Sequence, residues 1–143
     1  MLSFRTVKKN DWEFILKLRN ESYKYFKEQK SKIKFEEHIE YMKKQTSNPN
    51  FFHWIITNNI EDIGYIRILE EDISFMMKKE FQNKGFGTES LKLLLKQDRI
   101  PEKLIGRVDI KNLASIRAFE KAGFKKTGIE LKMLTFEKSS KNN

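Results

Sequence analysis

The sequence predicts one α/β (α+β) domain with a mixed, mostly antiparallel central sheet of about six to seven strands, flanked by about four helices. Three observations predict it. Short segments of apolar–polar alternation or β-rich composition recur along the chain, and three of them, between Phe51 and Lys78, are separated only by turn residues, as in an antiparallel meander. Other segments repeat apolar residues at helical spacing. A glycine-bearing stretch, Gln82-Asn83-Lys84-Gly85-Phe86-Gly87-Thr88, joins the last meander strand to a leucine-rich helix.

Taken in order, the elements read β-α-α-β-β-β-α-β-α-β-β. Leu2 to Val7 alternates as a short strand. Asn10-Asp11-Trp12-Glu13 resembles a capping box, with Asn10 as N-cap and Glu13 reaching back, and it opens a helix that carries Trp12, Ile15, Leu16 and Leu18 to about Tyr23. From Lys24 to Lys34 five lysines interleave with Tyr25, Phe26 and Ile33, which suits either a basic patch for nucleic acid or a solvated face. Phe35 to Gln45 is a second helix, with Phe35, Ile39 and Met42 on one face. His38 shares that face, as a packed, hydrogen-bonded residue or a functional one. Thr46 to Asn50 is a loop containing Pro49.

The meander strands are Phe51 to Thr57, Ile63 to Leu69 and Asp72 to Lys78, with turn residues at Asn58-Asn59, Glu61-Asp62 and Glu70-Glu71. Met76-Met77 fills core and edge in the third of them. The helix beginning near Gly87 sets Leu91, Leu94 and Leu95 on one side, with Gly87 on that side too. Pro101 breaks the chain before Leu104 to Ile110 alternates again. Asn112 to Ala122 is a short helix stopped by Gly123. Phe124 to Thr127 and Leu131 to Phe136 are final strands, and Glu137 to Asn143 is expected to be a frayed polar tail. No repeat or long linker divides residues 1–143, so one domain is expected.

Composition narrows the function classes. Apolar residues make up 38% and aromatic residues 13%, enough for a packed interior alongside 34% charged residues. The chain has no cysteine, which excludes disulfides, thiolate-rich metal sites and a catalytic cysteine. No resident metal is expected. No apolar run approaches the roughly 20 residues of a membrane span, and no basic-then-apolar leader opens the chain, so the expectation is a cytoplasmic protein without membrane partners. The net charge of +9 points to nucleic acid or to a smaller polyanion. Its distribution is uneven: residues 1–50 carry 12 basic and 7 acidic side chains, residues 51–100 carry 7 and 8, and residues 101–143 carry 10 and 5. The acids of the middle third gather at Glu61, Asp62, Glu70, Glu71 and Asp72, just before the glycine loop.

Two glycines that close a strand and open a helix leave backbone N–H groups able to face an anion. Three phosphate loops compete for this pattern. A Walker loop needs lysine after its second glycine, whereas here Lys84 precedes Gly85. A dinucleotide fingerprint needs a third glycine, where this chain has Ser90, and a parallel βαβ unit in place of a meander.

The residues as they stand, Gln82-x-x-Gly85-x-Gly87, closely resemble the acetyl-CoA-binding motif of the GNAT superfamily of N-acetyltransferases. A second stretch, from Asn112 to Phe124, resembles that superfamily's later segment: an Asn, a short helix and a terminal Glu120-Lys121-Ala122-Gly123-Phe124. The two cover about Ile63 to Phe124, in the right order and at suitable spacing. Leu18-Arg19-Asn20 and His38 look like the branch that includes ribosomal-protein and nucleotide-amino-sugar acetyltransferases.

The resemblance implies a GNAT fold in which the fourth and fifth strands splay and acetyl-CoA enters between them. Pantetheine would bond the main chain of Phe75, Met76 and Met77, with the Met77 N–H facing the thioester oxygen. The pyrophosphate would lie against Gln82, Asn83, Lys84, Gly85, Phe86, Gly87 and Thr88, where Gly85 and Gly87 leave room for it. Asn112 would contact pantetheine or acetyl, or cap its helix, or both, and Ser115 and Phe119 would complete the cofactor side. A carboxylate, Glu70 first and Asp72 second, would take the amine's proton; a solvated turn explains the same acids. Arg19, Tyr23, His38 and Arg67 are candidates for the acceptor side.

Many family members protonate the departing thiolate with a tyrosine where this chain has Phe119. Ser115 or water is the candidate substitute, since a thiol of pKa about 8.5 leaves tolerably without full protonation. The expected function is direct acetyl transfer from acetyl-CoA to a primary amine, on a small molecule, an amino sugar or a peptide, in a ternary complex and by a monomer or homodimer. A CoA-binding module with weak or no catalysis is the alternative, and a basic nucleic-acid-binding domain is the third reading.

Overall fold

The computed structural model describes residues 1–22, 31–130 and 133–140. Tyr23 and the stretch 24–30 of the lysine-rich segment lie outside the described residues, as do 131–132 and 141–143.

Seven strands form one sheet: β1 (Ser3–Thr6), β2 (Phe51–Thr57), β3 (Asp62–Leu69), β4 (Asp72–Met77), β5 (Lys103–Asp109), β6 (Lys125–Glu130) and β7 (Met133–Ser139). Four helices accompany it: α1 (Trp12–Ser22), α2 (Phe35–Thr46), α3 (Phe86–Leu94) and α4 (Leu113–Lys121). The strand order is β1-β2-β3-β4-β5-β7-β6, antiparallel throughout except for the parallel pair β4–β5. The expected mixed α/β architecture, element order and meander are therefore all present.

Side chains alternate across each strand, so one face of the sheet belongs to α1 and α2 and the other to α3 and α4. Trp12, Ile15, Leu18, Met42, Ile55, Tyr65 and Met76 pack together on the first face. Ile66, Ile73, Met77, Leu91, Leu94, Ala118, Phe119 and Phe136 belong to the larger cluster on the second. Met76 and Met77, neighbours in sequence, thus serve opposite cores.

Three boundaries differ from the sequence reading, each for a physical reason. Asn10 does not cap α1. A 3₁₀ turn, Lys9–Asp11, precedes the helix, and Asp11 accepts the Lys8 N–H at 2.8 Å while its carboxylate meets Arg5 at 2.7 Å. Arg5 also bonds Asp62 at 2.7 Å, so a buried acid exploits a neighbouring cation that the capping-box pattern ignores. The expected tail is paired strand as far as Ser139, Glu137 to Ser139 lying opposite Ile105 to Lys103, because β5 offers it an antiparallel edge. Strand β6 runs past Thr127 to Glu130, and β7 follows it from Met133.

Candidate active site

The strand pair at the centre of the sheet separates almost as soon as it forms. Asp72 pairs with Ile105 and Ile73 with Gly106, and the described β4–β5 ladder ends there. Alternation decides which backbone groups face the opening: Lys78 N–H bonds Ile63 of β3, and the Glu71 carbonyl accepts from Ile105 of β5, so odd-numbered β4 residues look toward β5. Phe75 and Met77 therefore turn their main-chain groups into the widening gap. The Met77 carbonyl accepts Gln82 Nε2 at 3.1 Å, which ties the glycine loop to the end of β4.

Beyond that tie the loop enters α3. Asn83 and Gly85 both take positive φ, 60° and 83°, and Gly85 is the N-cap residue. No side chain caps the helix, so the first-turn N–H groups, which have no intrahelical acceptor, stay available to an anion. A Cβ built on Gly85 meets nothing within 4 Å. Its need for glycine is thus conformational, and the space beside it is open. The reason differs at Gly87, where a Cβ would lie 3.0 Å from the Phe75 ring and 3.3 Å from the Ala118 methyl. Gly87 lets α3 approach α4 and the Phe75 ring, a packing reason for glycine beside the phosphate room that the sequence suggests.

Helix α4 forms the opposite wall. Asn112 is its N-cap, accepting the Ser115 N–H at 3.3 Å, and both residues line the groove. Ala114, Arg117, Ala118 and Lys121 line it too, at the spacing of a single helical stripe. Sequence reasoning passed over Arg117 and Lys121, although that stripe was visible. Phe119 is 2% exposed and closes the bottom, stacked on Phe136 at 5.6 Å and edge-on to Phe124 at 5.0 Å. Its ring lies against Gly106, where a Cβ would come within 2.3 Å. The whole groove has a volume of about 300 Å³, and Phe75, Met76, Met77, Gln82, Asn83, Gly85, Gly87 and Thr88 all line it. Lys84 and Phe86 do not.

A second cavity, about 630 Å³, opens on the α1–α2 face of the same strands. Arg67, Asp72, Ser74, Met76 and Arg107 line both cavities, so the two meet where β4 and β5 part. Asp72 sits between two guanidiniums there, Arg107 Nε at 3.5 Å and Arg67 Nη1 at 4.0 Å. Glu70 is exposed at the hairpin turn with φ 60° and lines only the second cavity. Ser115 lines only the first.

Arg19 lines the second cavity and lies 4.6 Å from the centre of the Tyr41 ring. His38 is fully buried behind it, its Nδ1 3.1 Å from Arg19 Nη1 and its Nε2 2.7 Å from the Trp12 carbonyl. Burial lowers the imidazole pKa to about 4; the Trp12 hydrogen bond opposes this and the Arg19 charge adds to it. His38 is thus the neutral support of Arg19 and does not face the cavity. A second histidine escaped the sequence reading: His53 Nδ1 lies 2.9 Å from the Tyr65 hydroxyl, and burial lowers its pKa to about 4 as well. Burial also pushes the Tyr65 phenol up. The strand register, which puts His53 beside Arg67 and Ile55 beside Tyr65, was needed to find them.

Residues 1–125 match the family model of the acetyltransferase (GNAT) domain. An uncharacterised protein of Methanocaldococcus jannaschii is 31% identical over 86% of this chain, which spans 28% of that protein's length. A domain from the same organism superposes with a TM-score of 0.82 at 27% identity, covering 97% of this chain and 98% of that one. The spermidine N-acetyltransferase of Vibrio cholerae, in complex with CoA and spermine, gives 0.83 at 18% identity over 98% and 96%. An aminoglycoside acetyltransferase in complex with coenzyme A gives 0.77 at 18% over 97% and 95%. No helix among the described residues is long and apolar enough to cross a membrane.

Proposed function

The chain belongs to the GNAT acetyltransferase family, and from that premise we propose that it transfers acetyl from acetyl-CoA to a primary amine by direct attack in a ternary complex. The observation that carries the reading is the continuity of three features: the parting of β4 from β5 after Ile73, the backbone groups of Phe75 and Met77 turned into the gap, and the uncapped start of α3 at its far end. Acetyl-CoA would supply the activated acetyl thioester. The residues fit it: Gly85, Gly87 and Thr88 stand at the anion-seeking helix start, Arg117 and Lys121 add positive charge on the facing wall, and the main chain of Phe75 and Met77 offers strand-like hydrogen bonds. The Met77 N–H would be the donor for the thioester oxygen, in a main chain that the Gln82 bond to the carbonyl of the same residue holds in place.

Among the acids nominated from sequence, Asp72 has the better position for the amine's proton. It lines both cavities, whereas Glu70 stands at the outer turn. Arg67 and Arg107 hold Asp72 at the junction. With no cysteine in the chain, a thioester relay through the protein is unnecessary to the scheme and unavailable to it. Phe119 favours a second reading, CoA binding without turnover, since its ring offers no proton to a departing thiolate.

Calorimetric titration with acetyl-CoA, followed by thiol release across a panel of amines, tests both. Saturable binding with thiol release and an acetylated product is the expected result. Binding without product on any amine selects the second reading, and the absence of binding overturns both.

A further inference from the structure

We infer that the larger cavity takes an amine whose skeleton also carries an oxyanion, a carboxylate or a phosphate, and that Arg19 binds that oxyanion. The inference rests on the acetyltransferase reading, for the cavity is its acceptor side. It starts from what surrounds Arg19. The His38 Nε2 contact is to a carbonyl, which can only accept, so the imidazole proton sits on Nε2 and Nδ1 is left to accept from Arg19. A guanidinium has about five N–H donors, of which His38 engages one, and the Tyr41 ring takes its face.

Among the described residues no carboxylate answers the charge. The other two arginines that line this cavity have one: Arg67 and Arg107 share Asp72. Among the described residues Arg19 makes no ion pair, although it is half-buried and lies close enough to Arg67 for that charge to oppose its own. Glu37, Glu70 and Glu71 also line the cavity but make no ion pair with any of these arginines. A partly desolvated cation, immobilised by a neutral histidine and an aromatic ring, with like charge beside it, is a ready partner for an oxyanion. Arg19 comes from α1 and Asp72 from β4, so oxyanion and amine would be held by different elements.

The test compares matched probes by calorimetry without acetyl-CoA: glucosamine 6-phosphate against glucosamine, serine against serinamide, and spermidine as the polycation. At least one oxyanion-bearing member should bind on the order of ten-fold more tightly than the counterpart that lacks the oxyanion. That advantage should shrink as salt is raised. It should vanish in Arg19→Gln, with acetyl-CoA affinity unchanged as the check on folding. Should that variant not fold, the salt dependence on the unsubstituted protein decides. The inference is overturned if neither pair discriminates, if spermidine binds more tightly than either anion, if the preference ignores salt, or if Arg19→Gln keeps it. Discrimination without thiol release would leave the oxyanion site standing and remove the acetyltransferase reading; thiol release indifferent to acceptor charge would do the reverse.

Discussion

At the scale of single residues, the site is organised by charges whose partners are unequal. Asp72 is held between two guanidiniums, so its replacement should cost both a proton acceptor and the placement of Arg67 and Arg107. Asp72→Asn is expected to lower kcat by about 10²-fold or more, while Glu70→Gln changes it little. Steady-state kinetics reads both. The chain has two histidines, and burial lowers each to about 4 from an ordinary value of 6.5. Two ring resonances in a proton NMR titration should therefore share midpoints near 4. The sign for stability follows. Between about 6.5 and 4 the unfolded chain binds protons that the folded rings refuse, so stability falls as pH drops through that window and levels off below it.

At the scale of elements, much was legible because the signals were local. Alternation located the meander, glycine marked the start of α3 and the end of α4, and Asn112 announced its own cap. Pairing across distant segments was not legible. The β7 ladder that captures Glu137 to Ser139 depends on the edge that β5 presents, and Asp11 rather than Asn10 organises the approach to α1 because Arg5 lies on a neighbouring strand. The same limit applies to His53 and Tyr65, which meet only through the β2–β3 register. The glycines were legible as positions but not as causes. At Gly106 an added Cβ would collide with the Phe119 ring, and at Gly85 it would meet nothing. Gly106→Ala should thus destabilise by about 1–3 kcal/mol through overpacking. Gly85→Ala should cost about 1 kcal/mol from its left-handed backbone and weaken acetyl-CoA binding out of proportion. Urea denaturation and calorimetry on the two variants separate these effects.

At the scale of the whole molecule, the short β4–β5 ladder divides the sheet into a four-stranded and a three-stranded part that share two residue pairs. The larger core bridges them through Ile66, Phe119 and Phe136. Ligands that bind in such a seam add to folding stability by mass action, about 2.7 kcal/mol at a hundredfold excess over Kd. The amides of Phe75 and Met77, which face the seam, should exchange with deuterium rapidly in the free protein and slow markedly with acetyl-CoA, while Ile66 of β3 changes little. Equal protection in both states would argue against it. The seam also bears on how the fold comes apart. With so little main chain joining them, the two parts can open as separate cooperative units, and a molecule bound between them would act as a temporary eighth strand and make them melt as one.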